Sequence, residues 1–165
     1  MADIARPFPS FNFDVQIEVP GLGETALCEG QFSECDGLEM NMEVKTIREG
    51  GNNTAQIRLI GPVTYGTLTL KRGMTSRSFD LWDWFEAQQH ATPRELRTDF
   101  RGSVTIVQKG ADRSENARYV LRKCLLTKLK APPMNAKDGL VAIEEIQLTY
   151  QSLSIEAPGE GGGNA

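Results

Sequence analysis

The sequence has few of the residues from which catalytic and metal sites are built. Its 165 residues include one histidine, His90, and three cysteines, Cys28, Cys35 and Cys124. A nucleophile–histidine pair would have to use His90, which ends a helical pattern with no nucleophile motif beside it. The cysteines form no Cys-x-x-Cys pair, and with a single histidine they do not suit a structural zinc site. The sequence therefore predicts no enzyme, no cofactor and no metal.

Long apolar runs are also lacking. No stretch approaches the roughly 18 apolar residues that a membrane helix needs, so no membrane span is expected. The first residues (MADIAR) have no cationic segment followed by an apolar one, which predicts the absence of a secretory signal peptide. Together with the odd number of cysteines, this favours reduced thiols in a cytoplasm.

Charge is present but unevenly distributed. The formal net charge is −4, yet residues 1–43 carry nine acids and one base, residues 44–137 eight acids and seventeen bases, and residues 138–165 five acids and no base. A basic middle between acidic ends is either a solvated surface or a surface that pairs with a second copy of the chain. The pI near 5.1 opposes tight binding of nucleic acid.

Apolar and polar residues alternate along several short segments. The alternating segments are residues 11–19, 25–35, 40–45, 56–60, 65–71, 102–109, 118–125 and 141–153. Turn residues such as Asp36-Gly37 and Gly61-Pro62 separate them. Short alternating segments with turns at roughly 8–12-residue spacing predict antiparallel strands. The expected fold class is mainly β, an antiparallel β-barrel or sandwich.

One segment has helical spacing instead. Residues 77–90 are predicted to form a single flanking helix, capped by Ser76 or Ser78, that covers one open end of the barrel. Trp82 and Trp84 lie about 200° apart on such a helix, so one is expected in the core and the other at a contact. The chain then divides into an N-terminal arm (1–10), a barrel domain (11–155) and a flexible Gly-rich tail (156–165).

Several motifs in this order carry a family resemblance. They are residues 11–13 (FNF), 32–39 (FSECDGLE), 47–52 (IREGGN), 68–73 (LTLKRG), 81–84 (LWDW), 134–137 (MNAK) and 141–148 (VAIEEIQL). Each motif is weak alone, but together they resemble the tail-tube (inner tube) protein family of contractile phages and phage-tail-like contractile injection systems. The resemblance covers residues 11–153.

The resemblance implies a fold similar to that of the type VI secretion ring protein. It also implies hexameric rings stacked head to tail into a hollow tube inside a contractile sheath. Implied partners are the sheath protein, baseplate and spike proteins, a tube terminator, and cargo, either DNA or protein effectors, passing through the lumen. Assembly in the cytoplasm of a bacterial cell would precede incorporation into the particle.

The resemblance also places contacts between subunits. The loop at residues 46–55 is expected to touch a neighbouring subunit, although a mobile hairpin loop is the alternative, and Lys71 and Arg72 are expected to pair with acids of the adjacent copy. The full set of interface candidates is Arg48, Glu49, Gly50, Gly51, Asn52, Asn53, Lys71, Arg72, Trp84, Asn135 and Lys137.

The sequence is also compatible with two other functions. A tube-initiator or baseplate protein of the same fold would join the spike to the tube, and a small-ligand-binding β-barrel would need an apolar interior with a mouth. The segregated charge adds the hypothesis that acid–base pairing between copies assists stacking, in which case stacking should weaken in high salt.

Overall fold

The alternating segments form strands. The structure, a computed structural model, describes residues 6–23, 28–30 (backbone only), 32–51, 55–75 and 79–159. In chain order the strands and helices of these residues are β1 (Phe13–Glu18), β2 (Cys28–Gly30), β3 (Glu34–Asp36), β4 (Met40–Ile47), β5 (Ile57–Tyr65), β6 (Thr67–Gly73), α1 (Asp80–His90), α2 (Glu95–Thr98), β7 (Gly102–Lys109), β8 (Glu115–Lys130), β9 (Ile143–Thr149) and β10 (Ser152–Glu156).

Eight of the strands form one antiparallel sheet that is organised around β8. The strand order is β2-β1-β7-β8-β9-β6-β3, and β10 pairs with the first part of β8. The 16-residue β8 therefore belongs to two layers: residues 115–124 pair with β7, and residues 125–130 pair with β9. Strands β4 and β5 pair with each other as a separate two-stranded hairpin.

A bend in β8 lets one strand serve both layers. Lys123 has a positive φ of 55°, and the register with β7 shifts beside it, from Leu121 opposite Val104 to Cys124 opposite Gly102. An extra residue of this kind is a bulge, which sharpens the local bend of a strand. The sheet folds over at this point, so that its two halves face each other.

The core lies between these halves. Buried and less buried residues alternate along β1, β6, β7 and β9, because neighbouring side chains on a strand point to opposite faces. The buried apolar set comprises Val15, Ile17, Val19, Phe32, Leu68, Leu70, Leu81, Trp84, Val104, Ile106, Leu121, Cys124, Leu126, Ile146, Leu148 and Tyr150. The predicted fold class, a mainly β antiparallel barrel or sandwich with a flanking helix, is confirmed.

Helix α1 packs one side against this core. Leu81 and Trp84 are fully buried, and the indole Nε1 of Trp84 donates to the carbonyl oxygen of Phe100 at 3.0 Å. A Cβ on Gly102 would lie about 3.1 Å from the Trp84 ring, so glycine there gives the ring its space. The helix begins at Asp80 rather than 77, and the predicted caps Ser76 and Ser78 lie outside the described residues.

Several predicted boundaries are wrong. The segment 25–35 contains two short strands, β2 and β3, which pair with β1 and β6. The segment 141–153 is two strands, because the chain crosses between layers at Tyr150, whose hydroxyl donates to the carbonyl oxygen of Gly37 at 2.8 Å. Gly61-Pro62 does not end a strand: it forms a bulge inside β5. A second, four-residue helix, α2, follows α1, although only a single helix was predicted.

Candidate assembly surfaces

The β4–β5 hairpin presents an unpartnered apolar face. Every residue of β4 is exposed, although its alternation is as regular as that of β1. The residues that share this face, here called the hairpin face, are each 40–77% exposed: Met40, Met42, Val44, Ile60 and Val63. Contiguous exposed apolar residues of this kind mark interaction sites on soluble proteins. The sequence pattern predicted a half-buried strand here, but none of the described residues covers its apolar side.

A bulge shapes the hairpin. Gly61 and Pro62 lie together opposite Glu43, since Met42 pairs with Val63 whereas Val44 pairs with Ile60. Proline has no N–H to donate, so a strand tolerates it at a bulge. A Cβ on Gly61 would lie about 2.9 Å from the carbonyl oxygen of Glu43, which only glycine avoids. The bulge therefore keeps the strands paired through a dipeptide that would otherwise interrupt them.

The predicted contact loop is the tip of this hairpin. Arg48, Glu49, Gly50 and Gly51 are all exposed, and Gly51 has a φ of 100° that favours glycine. The candidates Asn52 and Asn53 lie outside the described residues. The loop is shorter than predicted, because β4 continues to Ile47.

A second exposed apolar surface lies in the β8–β9 loop. Met134, Leu140 and Val141, here called the loop surface, are 91%, 82% and 76% exposed and line one open cleft of about 680 Å³. The candidate Asn135 lines this cleft, and the candidate Lys137 lies between two of its lining residues, Ala136 and Asp138. The Asn135 amide donates to Asp138 Oδ2 at 2.8 Å, and its Oδ1 accepts from the Lys137 N–H at 3.0 Å, which fixes the turn beside the apolar residues.

Trp84 is not a surface contact. It is fully buried, because the side of α1 that carries Leu81 and Trp84 faces the core. Of the two tryptophans, the core position that the helix spacing predicted belongs to Trp84, and its inclusion among the interface candidates is wrong. Trp82 is half-buried, and its Nε1 donates to Glu144 Oε2 at 3.4 Å.

Arg72 forms an ion pair within its own chain. Its side chain is 11% exposed and forms an ion pair with the fully buried Glu144, and its guanidinium lies 5.7 Å from the centroid of the Phe32 ring. The expectation that Arg72 pairs with an acid of the adjacent copy is therefore wrong. A buried carboxylate needs such a cation and hydrogen bonds, since it has lost its water.

Lys71 faces outward and belongs to a row of alternating charges across the sheet. Glu34 on β3, Lys71 on β6, Glu145 on β9 and Lys128 on β8 follow one another, with Lys71–Glu34 at 2.9 Å and Lys128–Glu145 at 3.4 Å. The hydrogen bond from Lys128 and the charges of Lys128, Lys130 and Lys71 lower the pKa of Glu145. Opposite charges on facing strands stabilise their pairing.

The acidic and basic segments of the sequence form ion pairs with each other inside the protomer. Of the five ion pairs in the described residues, four join a base of the middle segment to an acid of a terminal segment. They are Lys71–Glu34, Arg72–Glu144, Lys109–Asp14 and Lys128–Glu145. Antiparallel pairing brings the three segments side by side. Sequence reasoning did not place these pairs, because no local pattern encodes the strand order.

The described part of the chain has no cluster of metal-binding side chains, and its thiols are partly or fully buried. Its residues contain no group of three or more His, Cys, Asp or Glu that could hold a metal ion. Burial raises the pKa of the Cys35 thiol to about 11, with a smaller effect of Asp36, and that of Cys124 to about 12. Such thiols are poor nucleophiles. Among the described residues, no helix is long and apolar enough to cross a membrane.

Apolar surfaces left bare, such as these, mark sites of interaction with other molecules. The comparison with protein families identifies the class of protein. The model of the family "T4-like virus tail tube protein gp19" matches residues 9–154, most of the chain, so the chain belongs to this family. No significant match is found among curated proteins.

Solved structures share the fold. A chain of the anti-feeding prophage (AFP) baseplate is 23% identical, with a TM-score of 0.75 over 93% of this chain and 98% of that chain. A chain of the PVC sheath–tube complex, an extracellular contractile injection system, is 19% identical, with a TM-score of 0.74 over 93% and 94%. Hcp1 from Salmonella typhimurium is 14% identical, with a TM-score of 0.50 over 91% and 89%. The expected family and tube-protein fold are confirmed.

Proposed function

We propose that this chain is the protomer of the inner tube of a contractile tail or injection system. Six copies form a ring, and rings stack head to tail around a lumen that conducts DNA or protein effectors when the sheath contracts. The observation that carries the proposal is the family match over residues 9–154. The bare hairpin face supports it, because a protomer that remained alone would leave this apolar surface in water.

The proposed partners follow from the same relationship. The similar structures come from a sheath–tube complex, a baseplate, a tube-terminating cap and a sheath/tube terminator. The proposed partners are accordingly the sheath protein, baseplate and spike proteins, and a terminator. We place assembly in the cytoplasm of a bacterial cell, and we assign the chain a mechanical role without enzyme activity.

Head-to-tail stacking explains how one protomer builds a long object. A contact between two different surfaces of the same chain does not close on itself, so it continues into a filament unless a rotation closes it into a ring. Strand edges such as β10 on the outside of β8 would be covered by neighbours, which removes an exposed edge. The proposed tube needs both kinds of contact.

A tube-initiator protein of the same fold is the second candidate. The similarity to a chain of the AFP baseplate favours it, because a chain of this fold occurs in that assembly. An initiator would form one ring on a baseplate, whereas a tube protomer would continue to stack. The small-ligand barrel has less support, since fully buried Leu68, Leu121 and Leu148 fill the space between the two halves of the sheet.

Negative-stain microscopy of the purified chain tests the proposal. We expect rings or tubes with a central hole, and tubes rather than single rings if the chain is the tube protomer. Val44→Asp should abolish them by placing a charge in the hairpin face, and Ala111→Asp, in an exposed turn, should not. Monomers at every concentration, with or without a baseplate as a seed, would contradict the proposal.

Salt separates the electrostatic part of stacking from the apolar part. Because four acid–base pairs between the charge segments already form within the protomer, fewer charges are left for contacts between copies. If pairing between copies assists stacking, tubes should shorten from low to molar salt. Equal tube lengths at both would show that stacking does not depend on it.

A further inference from the structure

The hairpin face and the loop surface lie at opposite ends of β6. The hairpin joins the sheet at the Thr67 end, where the Gly66 N–H donates to the carbonyl oxygen of Glu39 at 3.0 Å. The β8–β9 loop lies at the Gly73 end, where the Met74 N–H donates to the carbonyl oxygen of Ala142 at 2.8 Å. Seven strand residues separate these ends by about 20 Å.

A protomer therefore cannot cover one of these surfaces with the other. The hairpin does not fold back along the sheet, since all of β4 is exposed. From Met40 to Ile47 it extends about 25 Å beyond its base. Both surfaces are apolar and exposed, and each protomer carries one of each. The loop surface of a second copy can therefore cover the hairpin face of the first. This repeated contact needs no other protein.

The helix that starts near the loop end of the sheet has an acidic exposed side. Asp80, Asp83 and Glu86 form a row on the exposed side of α1, and the hydrogen bond from Trp82 to Glu144 places the start of α1 near the loop end of the sheet. Within the described part of the chain, none of these three acids has an ion-pair partner.

The hairpin carries the opposite sign in excess. Lys45, Arg48 and Arg58 are exposed and, among the described residues, have no ion-pair partner, and they outnumber Glu43 and Glu49. A basic surface facing an acidic one favours encounter and fixes the orientation of two proteins.

We infer that the loop surface, together with the acidic row of α1, is the receptor for the hairpin face of a second copy. Met134, Leu140 and Val141 would cover the apolar residues of the hairpin, and Asp83 and its neighbours would face Arg58, which pairs with Thr46 and so shares the hairpin face. The inference rests on the proposed tube function and names the two surfaces of its repeating contact. Such a contact between unlike surfaces continues from copy to copy.

Disulfide trapping between two separately purified variants tests this contact. In a Cys28→Ser background, one protein carries Val44→Cys and the other carries Leu140→Cys, and the two are mixed and oxidised. The matched control replaces Leu140→Cys with Ala111→Cys, an exposed position in the β7–β8 turn. We expect the Val44–Leu140 pair to crosslink at least about tenfold faster than the control pair, because docking raises the local thiol concentration.

Charge reversal provides a second readout that loss of folding cannot imitate. Asp83→Arg should weaken association about tenfold, and Arg58→Glu in the same chain should restore most of it. Unfolding in urea checks that each variant keeps its fold. Rings or tubes that form without preferential Val44–Leu140 crosslinking, or without rescue by the reversed pair, would overturn the contact and leave the tube function standing. Failure of the unmodified chain to assemble would instead overturn the tube function.

Discussion

The side-chain amide of Gln88 occupies the place of a neighbouring strand beside Leu126. Its Nε2 donates to the carbonyl oxygen of Leu126 at 3.1 Å, and its Oε1 accepts from the N–H of Leu126 at 3.0 Å. The second half of β8 pairs with β9 on one side, and on the other side this helix residue satisfies the backbone. Helix α1 thus covers a sheet edge that would otherwise be bare.

Removal of this amide should destabilise the fold. Gln88→Leu preserves the size of the side chain but leaves a donor and an acceptor unsatisfied beside the buried Leu126, which should lower the free energy of unfolding by about 1–3 kcal/mol. Urea denaturation measures the change. Gln89→Leu, at the next and exposed position, should change it by less than about 0.5 kcal/mol. Equal effects of the two substitutions would show that the strand-like hydrogen bonds contribute little.

The buried pair of Arg72 and Glu144 should behave differently from an exposed pair. Arg72→Met or Glu144→Leu alone leaves an uncompensated charge, so each should cost about 3–5 kcal/mol, whereas the double variant should cost less than the sum. Loss of Glu144 also removes the acceptor of the Trp82 N–H. The control cycle at Lys71 and Glu34, which are more exposed, should give a much smaller coupling, because solvent screens an exposed pair. Additive costs at the buried pair would contradict a direct coupling.

Alanine substitutions at three glycines would distinguish the cost of backbone strain from the cost of steric overlap. Gly50 has open space and no positive φ, so Gly50→Ala should be neutral or slightly stabilising. Gly51 has open space but a φ of +100°, so Gly51→Ala should cost about 1–2 kcal/mol. Gly37 has a φ of +98°, and its Cβ would overlap the carbonyl oxygen of Thr67, so Gly37→Ala should cost most. Thermal unfolding should therefore give the highest melting temperature for Gly50→Ala and the lowest for Gly37→Ala. A different order would show that the turn at Gly37 relaxes to accommodate the added Cβ.

The two described thiols should resist modification in the folded protein. Burial holds the pKa of Cys35 at about 11 and that of Cys124 at about 12, so neither forms much thiolate at pH 8. In a Cys28→Ser background, Ellman's reagent should react slowly until denaturant exposes both thiols. A cysteine introduced by Gln89→Cys, at an exposed helix position, should react at once and provide the control.

The raised pKa values of Cys35 and Cys124 make the stability of the fold depend on pH. A raised folded-state pKa means that the folded protein holds its thiol protons more tightly than the unfolded chain. The resulting contribution to stability is complete below the ordinary thiol pKa near 9 and is lost as the pH rises towards 11–12. The test compares the free energy of unfolding of the parent with that of a Cys35→Ala, Cys124→Ala variant between pH 9 and 12. If it falls in the parent but stays level in the variant, the loss is due to these two thiols. An equal fall in both proteins would rule the thiols out as its cause.

The sequence was sufficient for the local features of the fold. Alternation predicted β1 and β7, and helical spacing predicted α1, because these periodicities follow from backbone geometry alone. The order of the motifs indicated the family. Sequence reasoning failed at Gly61-Pro62, where the bulge depends on the partner strand, and at Tyr150, where the chain changes layers.

What the tertiary structure decided is which faces are covered and which charges meet. β4 and β1 alternate equally well, yet β1 is half-buried and β4 is exposed, because only β1 has a layer packed against its apolar side. Trp84 rather than Trp82 enters the core, and Arg72 meets Glu144 across 72 residues of chain. Burial and ion pairing are properties of neighbours brought together by strand order, and no segment of sequence carries that order by itself.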